Sequence, residues 1–512
     1  MNNIKGDIFG GITAAIIALP LALAFGVASG AGAIAGLYGA IVLGFIASLF
    51  GGTPTQISGP TGPMTVVFAS AIAMFIGDIN AVMAVVFLTG IFQILFGIFK
   101  LGKYVRYIPY PVISGFMSGI GLIIIILQIN PFLGVAGDSS VLKTLYNLPN
   151  TLVSINIQAL ILAISTLLIT IFTPKKISMI VPSPLIALIV ITFMSVYLEF
   201  DVKTIGEIPT SLPSFVIPSF EPNQLKHIIT LAFTLAILGA IDTLLTSLVA
   251  DSITKTKHNS NKELIGQGIG NTLVSLVGGL AGAGATMRTV INVKSGGKTR
   301  LSGMIHSLTI LCAMLFMAPI VSQIPLALLA GILMKVGIDI LDYKFLRILK
   351  NAPKYDLYVM VVVFLLTVFV DLIMAVGVGI VLASLLIVYR ISKESNIQTI
   401  DCEEEKFQNE KSHTRILNIN GAFFFGSASI FEDQVNDLLD TKHLIINCLN
   451  APFIDLSAIF ALEDMISKLD SLDIRISLVL KKKHIDKIIK VDKAHIFDNV
   501  KMYENIKDIE TM

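Results

Sequence analysis

Charge is spread unevenly along this chain. Residues 8–390 are a succession of long apolar runs, and residues 391–512 carry the charge density of a water-exposed domain. Asp, Glu, Lys and Arg make up 14% of all residues, against roughly 25% in an ordinary soluble domain. With 54% hydrophobic residues and a mean hydropathy of +0.82, too few polar side chains remain to cover a globule of 512 residues. The first part therefore belongs in a bilayer and the second in water. The reading divides the chain into a transmembrane domain (1–390), a charged linker (391–414) and a small α/β domain (415–512).

A helix needs about 20 apolar residues to cross the hydrocarbon core. Candidate spans begin near residues 8, 33, 61, 81, 112, 153, 180, 228, 263, 285, 303, 325, 355 and 372, which makes fourteen. The first run, Ile8–Ala28, is too long for the apolar part of a signal peptide and is read as a retained span. Basic residues follow the even-numbered spans: Lys100, Lys103 and Arg106; Lys175 and Lys176; Lys255, Lys257 and Lys262; Lys294, Lys298 and Arg300; Lys344, Arg347, Lys350 and Lys354; and Arg390. The odd loops hold only Lys143, Lys203 and Lys226. This alternation predicts an even number of spans with both termini in the cytoplasm.

Two stretches depart from ordinary spans. Phe50–Val67 reads FGGTPTQISGPTGPMTVV, and Val277–Val293 reads VGGLAGAGATMRTVINV. Each opens on Gly-Gly, passes through a Gly- and Thr-containing stretch and enters a short helix, with Thr65-Val66 and Thr289-Val290 in comparable places. One is the third span of the first seven and the other the third of the second seven. Seven is odd, so the second repeat inserts upside down relative to the first. Two half-helices then point their N-termini at each other near the midplane, as in inverted-repeat transporters. Free N–H groups and the positive ends of the helix dipoles make that place a site for an anion. Gly and Pro that merely kink or closely pack helices are the plainer reading of one such segment; a matched pair favours function.

Asp242 lies mid-span in ILGAIDTLLTSLV with no basic neighbour in sequence. A carboxylate there costs at least about 2.5–3.5 kcal/mol on insertion scales. Thr246, four residues on, shares its helical face. Together with unwound carbonyls near Gly284 they offer hard oxygen ligands to a small cation; a proton carrier and a carboxylate paired to another helix are the alternatives. Arg288 either strengthens an anion site, pairs with Asp242 or reaches toward water. His306 reads as a packed or interfacial histidine, and Asp371 as an outer-surface residue. Cys312, Cys402 and Cys448 lack CxxC spacing and read as buried or inert thiols.

No catalytic apparatus, nucleic-acid patch or cofactor motif emerges. Gly296-Gly297-Lys298-Thr299 lacks the earlier glycine of a P-loop, whose place Asn292 takes, and it follows a membrane helix instead of a strand. In the C-terminal part, RILNINGAFFFG, HLIINCLN and DIRISLVL read as strands, with helical spacing over Ser427–Leu439 and Leu456–Lys468 between them. In APFIDLSA, Asp455 and Ser457 sit at a helix N-terminus, where capping is the default role and modification of Ser457 the alternative.

The membrane part resembles SulP anion permeases, the prokaryotic relatives of the animal family containing pendrin and prestin, and the C-terminal part resembles their STAS domain. The stretches TPTQISGPTGPMTVV, GAIDTLLTSLVADSITKTKHNSNKELIGQGIGN and AGAGATM are particularly similar to cyanobacterial sodium-dependent bicarbonate transporters. The resemblance implies a fourteen-span, seven-plus-seven inverted repeat, elevator-like alternating access in the inner membrane, and homodimers to which STAS domains contribute. It implies a sodium site at Asp242, Thr246, Gly284 and Thr286. Bicarbonate would be held by Thr61, Gly62, Ala285 and Thr286, with Arg288 adding charge. Arg288 stands where the bicarbonate branch can have a small residue and animal exchangers an arginine, and Gly59 where a glutamate can occur. A sodium–bicarbonate symporter is thus the first expectation. A proton-coupled sulfate or dicarboxylate permease is the second, and an anion channel or STAS-based sensor the third.

Overall fold

The computed structural model describes residues 3–509 apart from 105–106, 139, 175–176, 178–180, 207–212, 349–350, 371, 395, 402–413, 437–440 and 493–494. Arg106, Lys175, Lys176, Lys350, Asp371 and Cys402 lie outside the described residues. The chain divides into two units, Met1–Ile380 and Val381–Met512.

The first unit is helical. Its N-terminal half contains α1 (Ile4–Ala28), α2 (Ala33–Phe50), α3 (Gly62–Met74), α4 (Ile79–Ile98), α5 (Tyr110–Leu127), α6 (Ile129–Phe132), α7 (Val141–Val153), α8 (Ile157–Phe172) and α9 (Ser183–Tyr197). Its C-terminal half contains α10 (Leu225–Thr254), α11 (Ser260–Ser275), α12 (Thr286–Lys294), α13 (Arg300–Val321), α14 (Leu326–Ile340), α15 (Tyr343–Ile348), α16 (Lys354–Phe369) and α17 (Leu372–Glu394). A helix begins within a few residues of every expected span. Length is where they differ: α1, α2, α4, α5, α10 and the Met374–Lys393 part of α17 are long and apolar enough to cross a membrane. The 13-residue α3 and 9-residue α12 are not. At about 1.5 Å per residue, α12 rises less than half of a hydrocarbon core. The amphipathic α7 was not expected, because its face of Lys143, Asn147 and Asn150 keeps it below the hydropathy of a span.

Helix starts follow from local chemistry. Asp78 caps α4 by accepting from Ala81 N at 3.0 Å, and Asn259 caps α11 by accepting from Lys262 N at 3.0 Å. Pro63 sits in the first turn of α3, where its missing N–H costs nothing. The Lys298-Thr299 loop turns out to be a tether: Asp7 Oδ1 accepts from both backbone amides at 2.7 and 2.9 Å, and Asp7 Oδ2 from Thr299 Oγ1 at 2.7 Å. That joins α1 to the start of α13.

Packing sorts the helices into two groups. α11 lies along α4 and α2, α13 along α1 and α2, and α10 along α4 and α12. Separately, α16 packs on α5, and α14 on α5 and α8. The α4–α11 contact is backbone-close: a Cβ on Gly90 or on Gly268 would meet the other's carbonyl oxygen at 2.5 Å.

The second unit is an α/β sheet. Strands β3 (Asn396–Asp401), β4 (Thr414–Asn420), β5 (His443–Asn447), β6 (Arg475–Val479) and β7 (Lys501–Tyr503) lie in that order, β3–β4 antiparallel and the rest parallel. Helices α18 (Phe425–Asn436), α19 (Leu456–Asp470) and α20 (Lys482–Val491) connect them. Phe423, Phe431, Leu444, Ile446, Leu462 and Leu478 form the core. Residues 391–414, expected as a linker, hold the end of α17 and β3, and β3 is a sheet edge. The strand expected over 415–426 stops at Asn420, because Gly421 takes a φ of +127° and turns the chain into α18. Asp455 caps α19 by accepting from Ala458 N at 2.8 Å, and Ser457 is exposed. Cys448 is fully buried and burial pushes its thiol up to about 12; Cys312, expected to be buried or inert, is exposed on α13.

Candidate anion and cation site

The two broken segments meet. Ser58–Gly59 (β1) pairs antiparallel with Ala283–Gly284 (β2), matching Ser58 to Gly284 and Gly59 to Ala283. Around this two-residue ladder, Ala285 N donates to Ile57 O at 2.8 Å, and Ile57 N donates to Thr289 Oγ1 at 3.0 Å. Extended backbone at this depth is tolerable because its partner is the other repeat. The ladder holds the N-termini of α3 and α12 close together.

Thr61 is the residue preceding α3 and Ala285 the residue preceding α12. Both are extended, and neither helix start has a side-chain cap. Their first N–H groups are therefore available to a ligand. Each helix end adds roughly half a positive charge. A side chain at Gly62 would press on its neighbours: a Cβ there would lie 2.8 Å from Ile124 Cδ1 and 3.1 Å from Ile340 Cδ1. Apolar groups thus crowd the α3 start, through residues more than 60 and 270 positions away along the chain.

The oxygen-rich residues gather on the α12 side. Thr246 Oγ1 donates to Gly284 O at 3.0 Å and lies 2.6 Å from Thr286 Oγ1. Gly284 N receives Thr243 Oγ1 as its acceptor at 3.0 Å. Asp242, one helical turn before Thr246, is adjacent to Thr61 and within electrostatic reach of Arg288. Asp242 Oδ2 and Thr61 Oγ1 are buried beside each other, with no other hydrogen-bond partner for either among the described residues. One carboxylate, two hydroxyls and a carbonyl are oxygen donors of the kind that suits a small hard cation.

Arg288 does not reach toward water. It is 2% exposed and its Nη2 donates to Pro60 O, one residue before Thr61. Its Nη1 makes no hydrogen bond among the described residues and fills the space where a side chain at Gly59 would go. The guanidinium thus bridges from the second half-helix to the first, with no ion pair to Asp242 among the described residues. His306 is fully buried on α13, with both ring nitrogens unpartnered among the described residues.

A cavity of about 850 Å³ opens beside the C-terminal half of α3, lined by Ala69, Ile72, Gln128, Asp138, Lys143 and Lys203 among others. It does not contain Thr61, Asp242 or Thr286. A narrow cleft lined by Phe25, Thr65, Val66, Ile124 and Leu333 shares Ala69 and Gln128 with it. Ile124, which crowds Gly62, therefore stands between cavity and half-helix start.

The family model described as the sulfate permease family matches residues 4–363, and the STAS domain model matches 407–509. The chain belongs to the sulfate permease family. Among curated relatives, the bicarbonate transporter BicA of Picosynechococcus sp. is 46% identical over 91% of this chain and 87% of its own. BicA of Synechocystis sp. is 45% identical over 91% and 86%. A putative sulfate transporter of Bacillus subtilis, YvdB, is 31% identical over 91% and 90%. The solved transmembrane domain of a cyanobacterial BicA superposes with a TM-score of 0.70 at 49% identity, over 73% of this chain and 98% of that one. SLC26A9 superposes with a TM-score of 0.84 at 20% identity over 98% of this chain and 89% of its own, a likeness of fold. This sulfate permease family member is a multi-pass membrane protein, a secondary anion transporter and not an enzyme.

Proposed function

We propose that this transporter imports bicarbonate together with sodium. The observation that carries the reading is the junction itself: two uncapped half-helix starts, tied by β1–β2, beside the buried Asp242 carboxylate, whose one neighbouring hydroxyl among the described residues is that of Thr61. In this reading sodium is held by Asp242, Thr246, Gly284 O and Thr286. Bicarbonate is bound by the amides after Thr61 and Ala285, with Gly62 and Thr286 lining the place. The cation offsets the negative charge of Asp242 and of the anion, so each ligand favours binding of the other. Similarity to proteins named bicarbonate transporters at 45–46% identity supports the choice of anion.

Movement is proposed to be elevator-like, with the α1–α4 and α10–α13 group carrying the site past the group built on α5 and α14. The Lys/Arg alternation supports an inner-membrane protein with both termini cytoplasmic. Exposed Phe425, Phe453, Leu456 and Phe460 give the STAS domain an apolar patch suited to a homodimer.

Buried Arg288 favours a second reading. A fixed positive charge behind the half-helices suits a divalent anion such as sulfate, with Asp242 carrying a proton in place of sodium. Uptake of labelled bicarbonate and sulfate into vesicles, with and without a sodium gradient, separates the two. The first reading expects sodium-stimulated bicarbonate entry that Asp242→Asn abolishes. Bicarbonate uptake indifferent to sodium and preserved in Asp242→Asn would overturn it.

A further inference from the structure

The segment KELIGQGIGN, part of a long stretch similar to the bicarbonate transporters, takes no direct part in the site above. Its polar residues Glu263, Gln267 and Asn271 recur every four residues, and so form one stripe along α11. All three are 0–1% exposed. In a membrane helix, buried polar groups of this kind require partners.

The partners are the unwound segments. Glu263 Oε2 accepts from Gly52 N and Thr53 N, both at 2.8 Å, while Oε1 accepts from Gln56 Nε2 at 2.9 Å and Gln267 Nε2 at 3.0 Å. Gln267 Nε2 also donates to Ser58 Oγ at 2.5 Å, on β1 itself. Eight residues along, Asn271 takes the other segment: its Oδ1 accepts from Gly282 N at 3.0 Å and its Nδ2 donates to Gly282 O at 3.0 Å and Gln93 Oε1 at 2.9 Å. Ser247 joins α10 to the first group, lying 2.8 Å from Thr53 Oγ1 and donating to Gln56 Oε1 at 2.9 Å.

The geometry points to α11 as a splint: Glu263, Gln267 and Asn271 are positioning residues that fix both broken segments, and hence the facing half-helix starts, relative to Asp242 and Thr246. Glu263 holds the segment that enters α3, and Asn271 holds the segment that enters α12. Extended backbone has no helical hydrogen bonds to define its path, so these side chains define it. A carboxylate suits position 263 because four donors converge there, and a charged acceptor binds amides about twice as strongly as a neutral one. An asparagine suits 271 because one main-chain residue presents both a donor and an acceptor, which a primary amide matches with its separate oxygen and nitrogen. None of the three needs to touch the transported ions.

The inference rests on the junction being the site, but not on which anion is carried. The test is hydrogen exchange of the purified full-length protein, read separately over residues 52–58 and 279–284. Wild type is compared with Glu263→Gln, Asn271→Asp and Leu273→Ala, the last on the exposed face of the same helix. The splint predicts faster exchange in 52–58 alone for Glu263→Gln, in 279–284 alone for Asn271→Asp, and no change for Leu273→Ala. Transport of whichever anion the wild type prefers should show KM raised about tenfold with the maximal rate within about twofold. Unchanged exchange in both segments overturns the proposal. So does exchange raised throughout α10 and α11, or a fall in maximal rate at constant KM. Failure of both near-isosteric variants to give monodisperse protein also overturns it, since the stripe would then serve folding alone. Exchange is read without substrate, so a wrong assignment of bicarbonate leaves this result intact.

Discussion

The first and second broken segments look alike in sequence and do different work. The first, between α2 and α3, brings Thr61 and Gly62 to the junction with backbone amides as its main chemistry, and it is pinned by the Glu263 carboxylate. The second, between α11 and α12, adds Gly284 O and Thr286 Oγ1 to the Thr246 hydroxyl, and it sends Arg288 back to Pro60 O. α3 is longer than α12 by 13 residues to 9, and is flanked by the cavity of about 850 Å³. A duplicated scaffold thus supplies two matching helix ends, while the clustered oxygens of Gly284 and Thr286 and the Arg288 guanidinium sit on one copy. Anion affinity should draw on both segments and sodium affinity mainly on the second.

Substitutions break or sharpen that asymmetry. Asp242→Asn removes the charge shared by both sides, and sodium-driven uptake into vesicles should fall by about a hundredfold or more, the range expected when one partner of a buried charge set is lost. Gly284→Ala comes next: its Cβ would collide with Gln56 Nε2 and lie 3.1 Å from the Thr243 backbone, so the second segment must shift. Uptake should drop by tens of fold, on the order of 2 kcal/mol. Arg288→Met should raise the anion KM about tenfold, the loss expected for a hydrogen-bonded charge, while the sodium half-saturation stays within about twofold. Thr246→Val, which keeps the shape and deletes the hydroxyl, should raise the sodium half-saturation about fivefold, equivalent to one hydrogen bond. Gly62→Ala is the mildest, because the close contacts of its Cβ are the movable methyl ends of Ile124 and Ile340. It should raise the anion KM about threefold and leave sodium unchanged; equal sodium effects at 62 and 284 would erase the asymmetry.

Much of this architecture was legible in the sequence because membrane helices are written locally. Each of the fourteen apolar runs contains its own evidence, and the helix ends at Thr61 and Ala285 were marked by the Gly-rich stretches before them. What stayed hidden depends on partners far apart in the chain. The β1–β2 ladder is two residues long on each side, too short for any alternation of polarity to show. Glu263 and Thr53 are 210 residues apart, so nothing local distinguished a splint from an ordinary polar helix face. Sequence leaves Arg288 three outcomes, and its partner, the Pro60 carbonyl, is a backbone group that side-chain chemistry does not foreshadow. β3 reads as linker in sequence because an edge strand tolerates charge and carries a weak pattern.

The central claim is that the junction couples the two ions, and entry of radiolabelled sodium into proteoliposomes measures it most directly. The account predicts sodium influx that rises when bicarbonate is present outside, matched by bicarbonate influx that rises with sodium, both lost in Asp242→Asn. Bicarbonate entering at full rate with no accompanying sodium, in wild type and Asp242→Asn alike, would contradict it.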